Sequence, residues 1–365
     1  MKLTPRSAFG LVLAAAPLTA QARPAVGSGE VLASIPAQAA FCADEPGCNG
    51  GFPEGVVIDG SRVYVAGPAT FGTAGKGPSV VTVLHRANGN PITEIPIVGE
   101  ATEFEHALSG ITADGEGGIY ALSTQLGVVR IKRHGHTYTQ SIYAGPLPDL
   151  PACGAGVAAP CSPTFIDLPP ISNELTFDEA GNLYITDSLQ ATLFRVPAGG
   201  GAPQVWFQSP LLAGNLGAPL PFGANGIKIS PERDALFVTV TFDPFDASLG
   251  HVYRIPLAAP QDMTLFHTFT GGVVPDSLAF AESGRLYVSL AGSQQIAVLD
   301  TDGTEVRRIS GPAGSDIPFD GPATMAFDSA KKSLLVANHA IFGDPSDFAI
   351  LRVYVGEEGD PLPGE

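Results

Sequence analysis

The chain is poor in positive charge, tryptophan and methionine. Of its 365 residues only 19 are Lys or Arg, against 36 Asp or Glu, and the formal net charge is −17. No basic run occurs anywhere, which argues against nucleic acid as a partner, because phosphate binding needs clustered Lys and Arg. Charged residues of either sign make up only 15% of the chain. After the N-terminal segment there is no long apolar run, so no spanning helix is expected and a membrane partner is not expected. The G-x-S-x-G elbow of serine hydrolases and the H-E-x-x-H helix of zinc proteases are both missing. Gly154-Ala155-Gly156-Val157-Ala158-Ala159 matches a dinucleotide fingerprint on paper, but it lies in a Cys- and Pro-flanked loop with no helix to follow. No N-x-S/T sequon is present.

Glycine and proline, by contrast, are abundant, at 44 and 33 residues. Many turn formers imply many short strands. The hydrophobic fraction of 44% is too high for disorder. The N-terminus reads as a secretory signal. Lys2 and Arg6 are followed by an apolar stretch over 8–20 and by Ala20-Gln21-Ala22, an A-x-A cleavage pattern. Residues 1–22 are therefore expected to be a signal peptide and 23–365 a single secreted, extracellular domain, a retained N-terminal anchor being the alternative. Four cysteines suit that compartment. They allow three pairings. Local pairing, Cys42–Cys48 and Cys153–Cys161, is expected because both segments are turn-rich.

A repeat organises the chain. Asn173-Glu174-Leu175-Thr176-Phe177-Asp178-Glu179-Ala180-Gly181-Asn182-Leu183-Tyr184-Ile185-Thr186 reads as a strand, a tight turn and a second strand with period-two alternation. Equivalent units begin at Glu54, Ser109, Asn225, Asp276 and Ala323. Units of about 50 residues that each open on a hairpin indicate propeller blades. The expectation is an all-β, six-bladed β-propeller, with a pair of β-sandwiches as the competing architecture. Outer strands are expected at 191–196 and 205–207, 251–255 and 263–269, 295–299 and 305–309. Residues 31–35 are expected to close the ring beside 349–355, and 146–170 to form a Pro-rich insertion.

The innermost strand of each blade lines the central channel, so the first position of each unit converges on one axis. Four of these positions are Glu54, Asn173, Asn225 and Asp276. Oxygen donors facing one another repel unless a cation neutralises them. Hard cations such as Ca²⁺ take Asp, Glu and Asn oxygens, with water completing the shell. The set contains no Cys or His, which disfavours zinc and copper. A central site for calcium, or another divalent metal, is expected on Glu54, Asn173, Asn225 and Asp276. The other reading is that Asn and Asp simply begin strands after turns.

The motifs N-E-L-T-F-D-E-A-G-N-L-Y, A-N-G-I-K-I-S-P and D-S-L-A-F-A-E-S-G-R-L-Y resemble the SMP-30/gluconolactonase superfamily, which includes diisopropylfluorophosphatase-like enzymes and paraoxonases. The resemblance spans most of 50–357. It implies a calcium-dependent hydrolase of lactones or phosphotriesters, with the family's Glu, Asn, Asn and Asp ligands falling on Glu54, Asn173, Asn225 and Asp276. The chain departs from the family at Glu54-Gly55-Val56, where E-G-P is usual, at Asn173-Glu174 for N-D, and at Asp276-Ser277 for D-G.

The expected reaction is metal-assisted attack of water on the carbonyl of a small lactone or ester. Asp276, Glu174 and His339 are the candidates for proton transfer. Phe52, Phe222 and His106 are candidates for contact with the substrate, and Phe165 for the same apolar wall. The competing functions are a non-catalytic propeller that binds a ligand or a protein around a structural calcium ion, and a non-hydrolytic enzyme like the strictosidine synthase-like proteins.

Overall fold

The computed structural model describes residues 23–35, 52–69, 71–164, 166–341 and 343–362. They form six four-stranded antiparallel sheets arranged as a β-propeller. The innermost strands of blades one to six are Gly55–Asp59, Leu108–Ala113, Ser172–Phe177, Ala224–Ile229, Pro275–Phe280 and Pro322–Asp328. Each packs against the innermost strands of both neighbours, and that of blade six returns to that of blade one. Short 3₁₀ turns are the only helical elements among the described residues, and no helix there is long and apolar enough to cross a membrane.

The hairpins follow from their turn residues. In the Ala180-Gly181-Asn182 turn Gly181 has φ +80°, a left-handed conformation that costs glycine nothing. Its N–H bonds to the Asp178 carbonyl, and Asp178 also accepts the Asn182 N–H at 2.8 Å.

Six apolar clusters hold the described residues together, each shared by two adjacent blades. An aromatic on the second strand of one blade meets the last aromatic of the next blade's first strand. Tyr120 contacts Phe177 at 4.9 Å, Phe237 contacts Phe280 at 5.0 Å, and Tyr287 contacts Phe327 at 5.3 Å, all edge to face. The period-two pattern thus puts one face of each sheet on each neighbour, which explains why whole strands are buried.

Closure uses the expected N-terminal strand. Gly29–Ser34 pairs antiparallel with Ala349–Tyr354 as the outermost strand of blade six. A set of charges locks the seam. Arg352 bonds Glu30 at 2.7 Å and the Arg86 carbonyl, while Arg86 from blade one bonds Asp328 at 2.6 Å. The outer strands read from sequence are present as Thr192–Val196, Gln204–Gln208, Gly250–Pro256, Thr264–Phe269, Gln295–Leu299 and Glu305–Ser310. The described part of the 146–170 insertion holds no strand and carries the Cys153–Cys161 disulfide. Cys42, Cys48, Phe165 and residues 1–22 lie outside the described residues.

Candidate metal centre

In blades two to six the strand pairing slips at the first repeat position. Ser172 faces Asp187 and Leu175 faces Ile185, so Asn173 and Glu174 together oppose Thr186. The same shift occurs around Ser109, Asn225, Asp276 and Ala323. A bulge of this kind re-aims a side chain out of the sheet's alternation. Blade one differs: Glu54 precedes a regular strand, and its N–H bonds the Ala66 carbonyl at 3.0 Å.

Side-chain hydroxyls fill the bulges. Thr186 accepts the Glu174 N–H at 3.0 Å and donates to the carbonyl of Asn225 in the next blade. Thr239 accepts the Gly226 N–H at 2.7 Å and donates to the carbonyl of Asp276, again one blade on. Ser289 accepts the Ser277 N–H at 2.8 Å. Sequence reasoning passed over these three residues. Their signal was a hydroxyl recurring at one place in the second strand, in Ile185-Thr186, Val238-Thr239 and Val288-Ser289.

The structure brings Glu54, Asn173, Asn225 and Asp276 to one cavity of about 660 Å³, which Ser109, Phe52, Phe222, His106 and His339 also line. Ala323, the sixth repeat position, is fully buried. The amide nitrogens of both asparagines are tied down: Asn225 donates to Thr241 at 2.9 Å and Asn173 to Ser188 at 3.2 Å. Their carbonyl oxygens are left for another partner. The Asn225 Oδ1 is buried with no hydrogen-bond partner at all, an arrangement that normally costs about 1–3 kcal/mol. Burial first, and then the negative charge of Asp276, pushes the Glu54 carboxyl up to about 8. An orphaned oxygen beside carboxylates that oppose each other's ionisation is the donor chemistry a hard cation satisfies. No group of three or more His, Cys, Asp or Glu that could hold a metal occurs among the described residues. The candidate set has only two carboxylates and relies on amide oxygens for the rest.

His339 lies beside this set, with Nε2 3.8 Å from Asp276 Oδ2. Burial alone would lower its pKa, but the neighbouring carboxylates of Asp276 and Glu54 outweigh it and raise the value. The Ile341 N–H donates to Nδ1 at 3.0 Å, which opposes a second proton there and places the imidazole proton on Nε2, facing Asp276. Phe52 packs on the His339 ring at 5.3 Å and on Phe348 at 6.4 Å. It therefore seats the histidine as well as lining the cavity. His106 is buried, with both ring nitrogens 2.8 Å from the carbonyls of Phe104 and Gly77.

Glu174 has a different place from the one expected of a proton acceptor. It is buried and absent from the cavity lining. Its carboxylate is ion-paired with Lys228 and accepts the Ile227 N–H at 3.0 Å and the Ser277 hydroxyl at 3.1 Å. With its oxygens occupied in this way it joins the bulges of blades three, four and five that carry Asn173, Asn225 and Asp276. Gly226 makes room for it: a Cβ there would sit 3.0 Å from Glu174 Oε2 and 2.5 Å from the Asp276 carbonyl oxygen.

No family model matches the chain, and no curated protein does. Solved structures do match in shape. The calcium-binding protein regucalcin from Agrobacterium tumefaciens superposes with a TM-score of 0.57 at 17% identity, covering 91% of this chain and 95% of that one. The chain shares their propeller fold. A gluconolactonase from Xanthomonas campestris gives 0.54 at 15% identity over 91% and 99% of the two chains, and a luciferin-regenerating enzyme 0.55 at 14% over 85% and 95%. Virginiamycin B lyase from Staphylococcus aureus gives 0.51 at 14% over 83% and 95%. The scaffold therefore hosts lyases as well as lactonases, and the chemistry must be argued from the site.

Proposed function

We propose that the chain is a secreted calcium-dependent hydrolase that opens a lactone or related ester. The observation that carries this reading is the cavity floor. Two carboxylates and two amide oxygens are gathered there, and the Asn225 Oδ1 is buried without a partner. Secretion is supported by the N-terminal signal pattern, the acidic balance and the Cys153–Cys161 bond.

Glu54, Asn173, Asn225 and Asp276 would hold the ion, which supplies Lewis-acid polarisation of the substrate carbonyl. The remaining work falls to the chain's own groups. Asp276 lines the cavity and accepts the proton of the attacking water. The water oxygen bonds to the acyl carbon, the ring C–O bond breaks, and the departing alkoxide takes up the proton that Asp276 received, which gives a hydroxy acid and restores the carboxylate. His339, held by Phe52 and the Ile341 N–H, points its Nε2–H at Asp276 and steadies that carboxylate. Glu174 braces the bulges that present the donors.

The test is turnover of a panel of lactones, aryl esters and phosphotriesters with and without EDTA. Turnover is expected with calcium, lost on chelation and restored on adding calcium back. Activity that survives both complete metal removal and Asp276→Ala refutes the mechanism. A folded protein inactive on every class points instead to a binding propeller.

A further inference from the structure

The cavity above the donors has an uneven chemistry. Its walls include Phe71, Leu220, Phe222, Phe242, Val274 and Ile341. Among the described residues neither Lys nor Arg lines it, while the carboxylates of Glu54, Glu105, Asp276 and Asp320 do. A ligand carrying its own negative charge would meet like charge on entry and no basic side chain among those residues to pair with.

Several polar side chains on the wall are already engaged. Ser109 donates its hydroxyl to the Ser172 carbonyl at 3.0 Å. Thr241 donates to the Pro275 carbonyl at 3.2 Å while accepting from Asn225. Thr124 accepts the Ala107 N–H at 3.0 Å, and Gln294 Oε1 accepts the Gly321 N–H. Glu105 takes the N–H groups of Gly72 and Thr73 at 2.9 and 3.1 Å. The ring nitrogens of His106 face carbonyls. A polyhydroxylated ligand would find acceptors at the carboxylates, but every hydroxyl laid on the Leu220–Phe222–Phe242–Val274 side would surrender water with nothing in exchange.

We infer that the substrate is an uncharged amphiphile. A single carbonyl head meets the oxygen donors, and an aliphatic or aromatic body lies on the Leu220–Phe222–Phe242–Val274 side: an alkyl-substituted lactone or ester, not a sugar lactone or an anionic one. This rests on the hydrolase reading for the head and on the wall for the body. The cavity volume of about 660 Å³ falls within the ordinary range for small-molecule sites.

The calcium-loaded protein is assayed with γ-lactones whose alkyl chain grows one methylene at a time, with glucono-δ-lactone as the polyol, and with a carboxylate-bearing lactone. Binding of the matching 3-alkylcyclopentanones, which cannot be hydrolysed, is measured in parallel by calorimetry. Each methylene is expected to raise kcat/KM and ketone affinity about fourfold until the wall is covered. Phe222→Ser is expected to flatten that dependence. Glucono-δ-lactone turned over as fast as the best alkyl lactone, or no gain with chain length in either measurement, overturns the inference. Ketone affinity that climbs with chain length while no lactone is turned over upholds the inference about the wall and overturns the hydrolase reading.

Discussion

Replacing Lys228 with methionine leaves the Glu174 carboxylate buried with no counter-charge. The two partners are unequal: the Lys228 side chain is 21% exposed and the Glu174 side chain 2%. Removing the lysine strands a charge that cannot reach water, which costs about 3–5 kcal/mol. Glu174→Gln is milder. Its amide oxygen still accepts from Ile227 and Ser277, and Lys228 can turn its ammonium to solvent, so the loss is about 1–2 kcal/mol. The double variant should cost less than the sum, by about 2 kcal/mol, because the stranded charge is gone. Guanidinium unfolding of the four proteins measures the cycle. The pH dependence has a definite sign. Burial holds the Glu174 carboxyl above its ordinary range even though Lys228 pulls it down. Without Lys228 it rises further, so the folded variant keeps a neutral acid at low pH and pays the full penalty only as pH climbs through the raised value. Lys228→Met should therefore be nearer wild type at pH 5 than at pH 8. Because Glu174 joins the residues next to Asn173 and Asp276, calcium affinity should also fall about 10- to 100-fold. If Glu174→Gln costs as much as Lys228→Met, or the penalty does not change with pH, the brace is not electrostatic.

Further outcomes follow from the same structure. Gly226→Ala puts a Cβ 2.5 Å from the Asp276 carbonyl oxygen and 2.8 Å from the Ser277 Cα; overpacking of this kind costs about 1–3 kcal/mol, and thermal unfolding should show the loss. Gly321→Ala drives a methyl to 2.7 Å from the His339 ring at a φ of +59°, so kcat should drop while calcium affinity, read by calorimetry, stays near wild type. Burial raises the Asp187 carboxyl to about 6. The folded state then binds the extra proton, so this group lowers stability as pH rises from about 4 to 6, by about 3 kcal/mol in all; the slope should be missing from the unfolding curve of Asp187→Asn. Calcium at a hundred times its dissociation constant should stabilise the fold by about 2.7 kcal/mol, and a melting temperature unmoved by calcium or EDTA would contradict the metal centre.

The repeat made most of the fold legible. Turn glycines, apolar alternation and the spacing of Glu54, Asn173, Asn225 and Asp276 were enough to set the blades and to bring the four donors to one channel. The strand that closes the ring was also readable, because a last blade without a fourth strand needs one from elsewhere. The bulges were not readable. Period-two alternation assigns consecutive residues to opposite faces, and an extra residue opposite Thr186 breaks that count. Glu174 was weighed as a proton acceptor although alternation turns it into the blade, and its carboxylate does lie there, among Lys228, Ile227 and Ser277. Those partners come from neighbouring blades, and a single strand's sequence carries no trace of them. Phe52 was legible as a cavity residue but not as the seat of His339, since the two are joined only by ring closure.

That closure has a consequence for how the protein is made and handled. Among the described strands Gly29–Ser34 is synthesised before all others and its partner Ala349–Tyr354 after them. The ring stays unbuckled until both have emerged. Until then Gly29–Ser34 has no partner; without it, the backbone of Ala349–Tyr354 is an open sheet edge, ready to capture a strand from another molecule. A chain shortened past Ser34 would carry that edge permanently, together with an Arg352 deprived of Glu30. Such a protein should assemble with itself, open edge against open edge.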